Sequence, residues 1–211
     1  MYTLYYSPGA ASMCVHLALL ETNAPHELIL VDLAAGQQRD PTYLKLNPNG
    51  VVPTLLVDGK PFYEAAAALM TIAERHPEAK LAPPADSLAR AAWNQWILHF
   101  ANTLQPAFRL WFYPQDIGAD AASQAVVKAA AQRKIEAAWD RLEAHLSANG
   151  PYLLGDAPSA ADLMLIMLMR WSRNMPKPVT QWPALAAYAS RMKSRSSWKR
   201  LYEVEGLTEW S

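Results

Sequence analysis

Glu64 stands immediately before Ala65-Ala66-Ala67-Ala68, a run that reads as the start of a helix. The first N–H groups of a helix have no partner inside it. A carboxylate beside them makes a site for a zwitterion, because the acid takes an ammonium while the N–H groups take a carboxylate. Upstream, the stretch Asn47-Pro48-Asn49-Gly50-Val51-Val52-Pro53 leads into an apolar strand, Thr54-Leu55-Leu56-Val57. Proline inside a strand removes a ladder donor, so Pro53 belongs at a strand's first residue, edge or turn. An X-Pro bond is also the peptide bond that adopts cis at low cost. A cis Val52–Pro53 bond turns the Val52 N–H and C=O outward, where a peptide backbone can pair with them as an added strand. A backbone site beside an amino-acid-head site describes a γ-glutamyl peptide.

The elements that must hold these residues alternate over residues 1–76. Thr3–Tyr6 reads as a strand, Ser12–Thr22 as a helix and Leu28–Val31 as a second strand. Thr54–Val57 and Pro61–Tyr63 flank an Asp58-Gly59 turn as a hairpin. Ala65–Arg75 closes this α/β block as a helix. Side chains alternate along a strand, so Tyr5 faces away from Tyr6 and is expected in the core. Residues 77–86 carry three prolines, Pro77, Pro83 and Pro84, without periodicity, and read as a linker. Residues 87–211 are all-helical by pattern, with Ser87–Trp111 and Ala121–Ala148 as long helices. Asp162–Arg173 is apolar on every face and belongs at the centre of its domain. Ser159-Ala160-Ala161-Asp162 begins that helix as a capping box, a role in folding.

Composition excludes several classes. Apolar residues make up 52% of the 211 and charged residues 18%, which fits a globular chain and not a disordered one. A formal net charge of zero gives no electrostatic case for nucleic acid or an anionic membrane. The apolar run 163–169 is too short to span a bilayer, and the first residues lack the pattern of a signal peptide. Cys14 is the single cysteine, which excludes an intrachain disulfide and fits a reducing cytoplasm. A free cysteine is most often a small buried hydrophobe. His16 and His99 have no second ligand at metal spacing, so no metal site is expected.

On Val52-Pro53, Glu64-Ala65 and the Ser159–Asp162 box, the chain resembles the glutathione S-transferase family, from Tyr2 to about residue 198. The resemblance implies a thioredoxin-like α/β domain followed by an all-α domain, a homodimer, and glutathione as co-substrate for attack on a hydrophobic electrophile. It puts Val52 and Pro53 on the cysteinyl backbone of glutathione, and Glu64 and Ala65 on its γ-glutamyl group. Family members more often carry Ser after the acid, and Ala65 offers only its N–H. Around Tyr6-Ser7-Pro8-Gly9-Ala10-Ala11-Ser12 the chain is most similar to bacterial beta-type members, whose signature cysteine is Ala11 here. The resemblance leaves two donors for the glutathione thiolate, Ser12 and Tyr6. Ser12 could instead cap the helix, and Tyr6 could simply close its strand. Gln105 falls where beta-type members place a histidine near the thiol. The aromatic residues between Trp93 and Tyr113 suggest a flat apolar pocket. Two other roles fit the altered motif: a non-catalytic binder of glutathione, and a glutathione-dependent peroxidase or thiol-disulfide oxidoreductase.

Overall fold

The computed structural model describes residues 1–210, and the chain divides into two compact units. One comprises Met1–Pro84 together with the chain from Met192 onward; the other is Ala85–Arg191.

In the first unit, β1 (Tyr2–Tyr6), α1 (Ser12–Glu21) and β2 (His26–Leu30) form a βαβ crossover. After the short α2 (Pro41–Leu44) come β3 (Thr54–Val57), β4 (Lys60–Tyr63) and α3 (Ala65–Arg75). The sheet order is β2-β1-β3-β4, with β1 parallel to β2 and antiparallel to β3. This is the thioredoxin-like mixed sheet. Tyr2 and Leu4 point to the face on which α1 and α3 pack, and both are buried. Tyr5 points the other way, where its ring meets Tyr43 of α2 at 5.8 Å beside Val31 and Val52. Tyr5 is therefore half-buried under α2, not in the main core where the alternation placed it.

The segment from Met192 onward was expected in the helical domain, yet it packs with the α/β unit. Its helix α9 (Ser196–Glu205) lies against α1 and is tied to it at both ends. At one end Arg195 donates to Glu21 at 2.7 and 2.6 Å, and Ser197 also donates to Glu21. Burial pushes the Glu21 carboxyl up, but these hydrogen bonds outweigh it and hold the group below its ordinary range. At the other end Glu205 meets His16.

The second unit is built from α4 (Leu88–His99), α5 (Gln105–Phe112), α6 (Ala121–Asn149), α7 (Ala160–Trp171) and most of α8 (Pro183–Lys193). The single helix expected over 87–111 is interrupted by a π-helical turn at Phe100–Leu104. Pro106 supplies the reason: it has no N–H for the carbonyl four residues back, and its ring crowds that carbonyl. α7 is buried from Ala160 to Arg170 and forms the centre of the unit. Its capping box is present, with Ser159 N–H donating to the Asp162 carboxylate at 2.8 Å and the Ser159 hydroxyl at 2.9 Å. Glu143 of α6 accepts from the Ala184 and Leu185 N–H groups and so caps α8 from a neighbouring helix.

Candidate functional site

The strand register gathers the predicted residues of the first unit at one end of the sheet. Tyr5 pairs with Thr54 across β1 and β3, and Thr54 pairs with Tyr63 across β3 and β4. The residues just beyond these pairs are Tyr6 on β1, Val52-Pro53 before β3, and Glu64 after β4. Two helices also start at this end, α1 at Ser12 and α3 at Ala65.

The Val52–Pro53 bond is cis. Side chains fix the turn that leads to it. Tyr43 donates to the Val51 carbonyl at 2.7 Å and its hydroxyl lies 2.8 Å from that of Thr54, while the Asn47 amide donates to the same carbonyl at 2.8 Å. Gly50 completes the turn at φ +59°, where a Cβ would come within 2.7 Å of the Arg39 guanidinium and 3.0 Å of the Gln38 carbonyl. Among the described residues neither the N–H nor the C=O of Val52 has a protein partner. The clamp therefore satisfies Val51 and leaves the backbone groups of Val52 available.

Glu64 is exposed and precedes α3 with φ +76° and ψ +109°, a conformation that L residues with a Cβ rarely adopt. The first helical hydrogen bond runs from the Ala68 N–H to the Glu64 carbonyl at 3.0 Å, so the N–H groups of Ala65 and Ala66 have no acceptor within the helix. Among the described residues no donor takes the Glu64 carboxylate. Ala65 itself is buried, so its N–H is what it presents.

At the start of α1 the two donor candidates separate. Ser12 is fully buried. Its hydroxyl donates to the Ser7 carbonyl at 3.1 Å and accepts from the Ser7 N–H at 3.2 Å. The N-cap of α1 is Ala11 and no side chain caps it, so Ser12 does not act as the helix cap. Instead it staples the loop between β1 and α1. Tyr6 is half-buried and its hydroxyl has no protein partner among the described residues. Burial, and secondarily the Glu205 carboxylate, push its phenol above its ordinary range, so it stays protonated and able to donate. Cys14 is buried, its thiol pushed up to about 12 by burial, which removes it as a redox thiol.

Gln105 lies half-buried at the first turn of α5, in the helical unit. The aromatic residues there divide by burial. Trp93, Phe100, Phe108 and Trp111 are core, Trp96 is half-buried and stacked on Phe100, and Phe112 and Tyr113 are exposed at the end of α5. Arg109 spreads over the Tyr113 ring, 4.2 Å from its centre, and pairs with Asp116 at 2.7 Å. A cavity of about 410 Å³ in the first unit, lined by Tyr5, Leu30, Gln37, Tyr43 and Lys45 among others, contains none of the predicted site residues.

Two groups escaped the sequence reading. The Tyr43–Asn47 clamp was foreshadowed only by the turn-forming composition of the Asn-Pro-Asn-Gly stretch. Glu205 had no local signal: its Oε2 accepts from the Gly9 N–H at 2.9 Å across 196 residues of sequence.

Comparison with known proteins identifies the family of the chain. The family model described as the glutathione S-transferase N-terminal domain matches residues 10–75, and that for the C-terminal domain matches residues 124–191. Glutathione S-transferase GST-4.5 of Xanthomonas campestris pv. campestris is 33% identical over 208 residues, covering 97% of this chain and 98% of that protein. A glutathione transferase homologue from Sulfitobacter, crystallised with bound glutathione, superposes with a TM-score of 0.89 at 29% identity over 99% of both chains. A beta-class glutathione S-transferase from Sphingomonas chungbukensis gives a TM-score of 0.83 at 31% identity, covering 98% of this chain and all of that one.

Proposed function

We propose that this chain, which belongs to the glutathione S-transferase family and is a transferase, binds glutathione at the sheet end described above and turns its thiol on a hydrophobic electrophile. The observation that carries the reading is the pairing of unused groups at one place: the Val52 N–H and C=O, the Glu64 carboxylate, and the N–H groups of Ala65 and Ala66. These match the peptide backbone, the ammonium and the carboxylate of a γ-glutamyl peptide in kind and in order.

Tyr6 is the donor that this reading assigns to the sulfur. A thiol ionises near pH 8.5, and one donor together with the positive end of a helix favours the thiolate at neutral pH. The Tyr6 hydroxyl has no partner among the described residues and α1 begins just past it in the chain. The Ser12 proton is already given to Ser7, so its part is to hold the loop. The resemblance assigns Gln105 to glutathione and the exposed aromatics of α5 to the electrophile. The chain pairs with a second copy in this reading, supported by the apolar edge at β4, where Phe62 is 48% exposed. A cytoplasmic location accords with its free thiol.

The test measures glutathione binding and conjugation of a chloronitrobenzene in wild type, Tyr6→Phe and Ser12→Ala. Tyr6→Phe is expected to bind glutathione normally and to lose roughly 10- to 100-fold in kcat/KM, the worth of one hydrogen bond to a charged sulfur. Ser12→Ala is expected to lose about 1–3 kcal/mol of stability, because the Ser7 N–H and carbonyl are left without their partner. Full activity in Tyr6→Phe would overturn the donor assignment. Wild-type protein that fails to bind glutathione would overturn the whole reading.

A further inference from the structure

We propose that Glu205, on the last helix, is a positioning residue that sets the β1–α1 loop, and through it the approach of Tyr6 and the first α1 N–H groups to the substrate sulfur. The proposal rests on the reading above for what that loop does.

Glu205 is the final residue of α9, where the helix dipole disfavours a carboxylate. Helix formation therefore does not account for it. Its side chain and that of His16 are both fully buried, and buried charge persists only with compensating partners. Those partners come from the other end of the chain. One oxygen accepts from the Gly9 N–H at 2.9 Å and the other pairs with His16 Nδ1 at 2.8 Å. An ionised Glu205 oxygen only accepts, so Nδ1 is then the donor of this pair, and the bond holds the orientation of the ring. His16 Nε2 is equally buried and has no partner among the described residues. The oriented ring then lies against Tyr6, with centroids 6.2 Å apart.

Glu205 thus reaches the donor by two routes. It holds the loop directly at Gly9, which sits at φ +70°, and it orients the His16 ring that backs Tyr6. The Ser12 hydroxyl closes the loop from inside; Glu205 anchors it from outside. The second tie between α9 and α1, from Arg195 and Ser197 to Glu21, lies at the opposite end of α1 from the loop. It provides an internal control for general loosening of α9.

The experiment compares Glu205→Gln with Glu21→Gln in the full chain. Two readouts are taken: backbone hydrogen exchange over residues 6–14, and the pH at which the thiol of bound glutathione ionises, followed by thiolate ultraviolet absorbance. Glu205→Gln is expected to raise loop exchange roughly tenfold; loss of its negative charge alone would lower the pH at which the thiol ionises, so the expected move to higher pH reports the lost positioning, while Glu21→Gln lowers stability and changes neither. Equal effects of the two variants, or an unchanged loop in Glu205→Gln, would overturn the proposal. Absence of glutathione binding in wild type would overturn the functional reading instead, and the exchange measurement would still decide whether Glu205 holds the loop. Should Glu205→Gln fail to fold, Glu205→Asp, which keeps the charge on a shorter arm, carries the same expectations.

Discussion

Asp162 and Glu64 are both acids at helix N-termini, and their surroundings are opposite. Asp162 is fully buried at the start of α7, with its carboxylate taking donors from Leu153, Ser159 and Tyr188 at 2.8–3.1 Å. Glu64 is exposed at the start of α3, without a donor among the described residues and held at φ +76°. A buried acid with every lone pair occupied is a component of the fold. An acid that keeps a strained backbone and free oxygens is stabilised by its surroundings for another purpose, and such residues cluster at ligand sites. The difference separates folding from recognition without reference to any relative.

The comparison predicts that substitutions at the two sites damage different properties. Asp162→Ala should show the largest effect, about 3–5 kcal/mol of stability in urea unfolding, because it strands the Leu153 and Ser159 N–H groups inside the helical unit and leaves the Tyr188 hydroxyl only the residue-162 carbonyl. A loss below about 1 kcal/mol would mean that these groups find water or other partners, and the contrast would lose one of its terms.

Glu64→Gln tests the other term. It keeps the size and removes the charge, so stability should hold within about 0.5 kcal/mol while glutathione affinity falls roughly 10- to 100-fold, as expected for losing an ion pair with the γ-glutamyl ammonium. Calorimetric titration against glutathione and against its analogue without the α-amino group checks this. The variant should discriminate between the two ligands less than wild type does. A variant that still prefers the amino-bearing ligand as strongly would remove Glu64 from the site.

What the sequence made legible follows the same division. Local patterns were readable: the hairpin at Asp58-Gly59, the Ser159–Asp162 box, and Pro53 at the entrance to β3 all depend on neighbours a few residues away. Pro106 also carried a local signal, since a proline within an otherwise helical run implies an interruption, and the π turn lies just before it. The engagement of Ser12 by Ser7 was hidden, because it depends on how the five-residue loop between β1 and α1 closes and the residue types fit a cap equally well. The role of Glu205 was hidden further still. A glutamate near a helix end reads as surface until the chain folds it against Gly9 and His16.

The smallest predicted effect sharpens the claim that Glu64 is held against its backbone preference. Glycine accepts φ +76° without a Cβ clash, whereas alanine removes the carboxylate and retains the clash. Glu64→Gly and Glu64→Ala should therefore bind glutathione equally poorly but differ in stability. The glycine variant should be the more stable by about 1 kcal/mol, the strain relieved being only partly offset by the added freedom of the unfolded chain. Thermal unfolding of the two variants side by side isolates the backbone contribution, because neither has the carboxylate. If Glu64→Ala proves as stable as Glu64→Gly, the positive φ costs the fold nothing, and the contrast with Asp162 reduces to one of exposure.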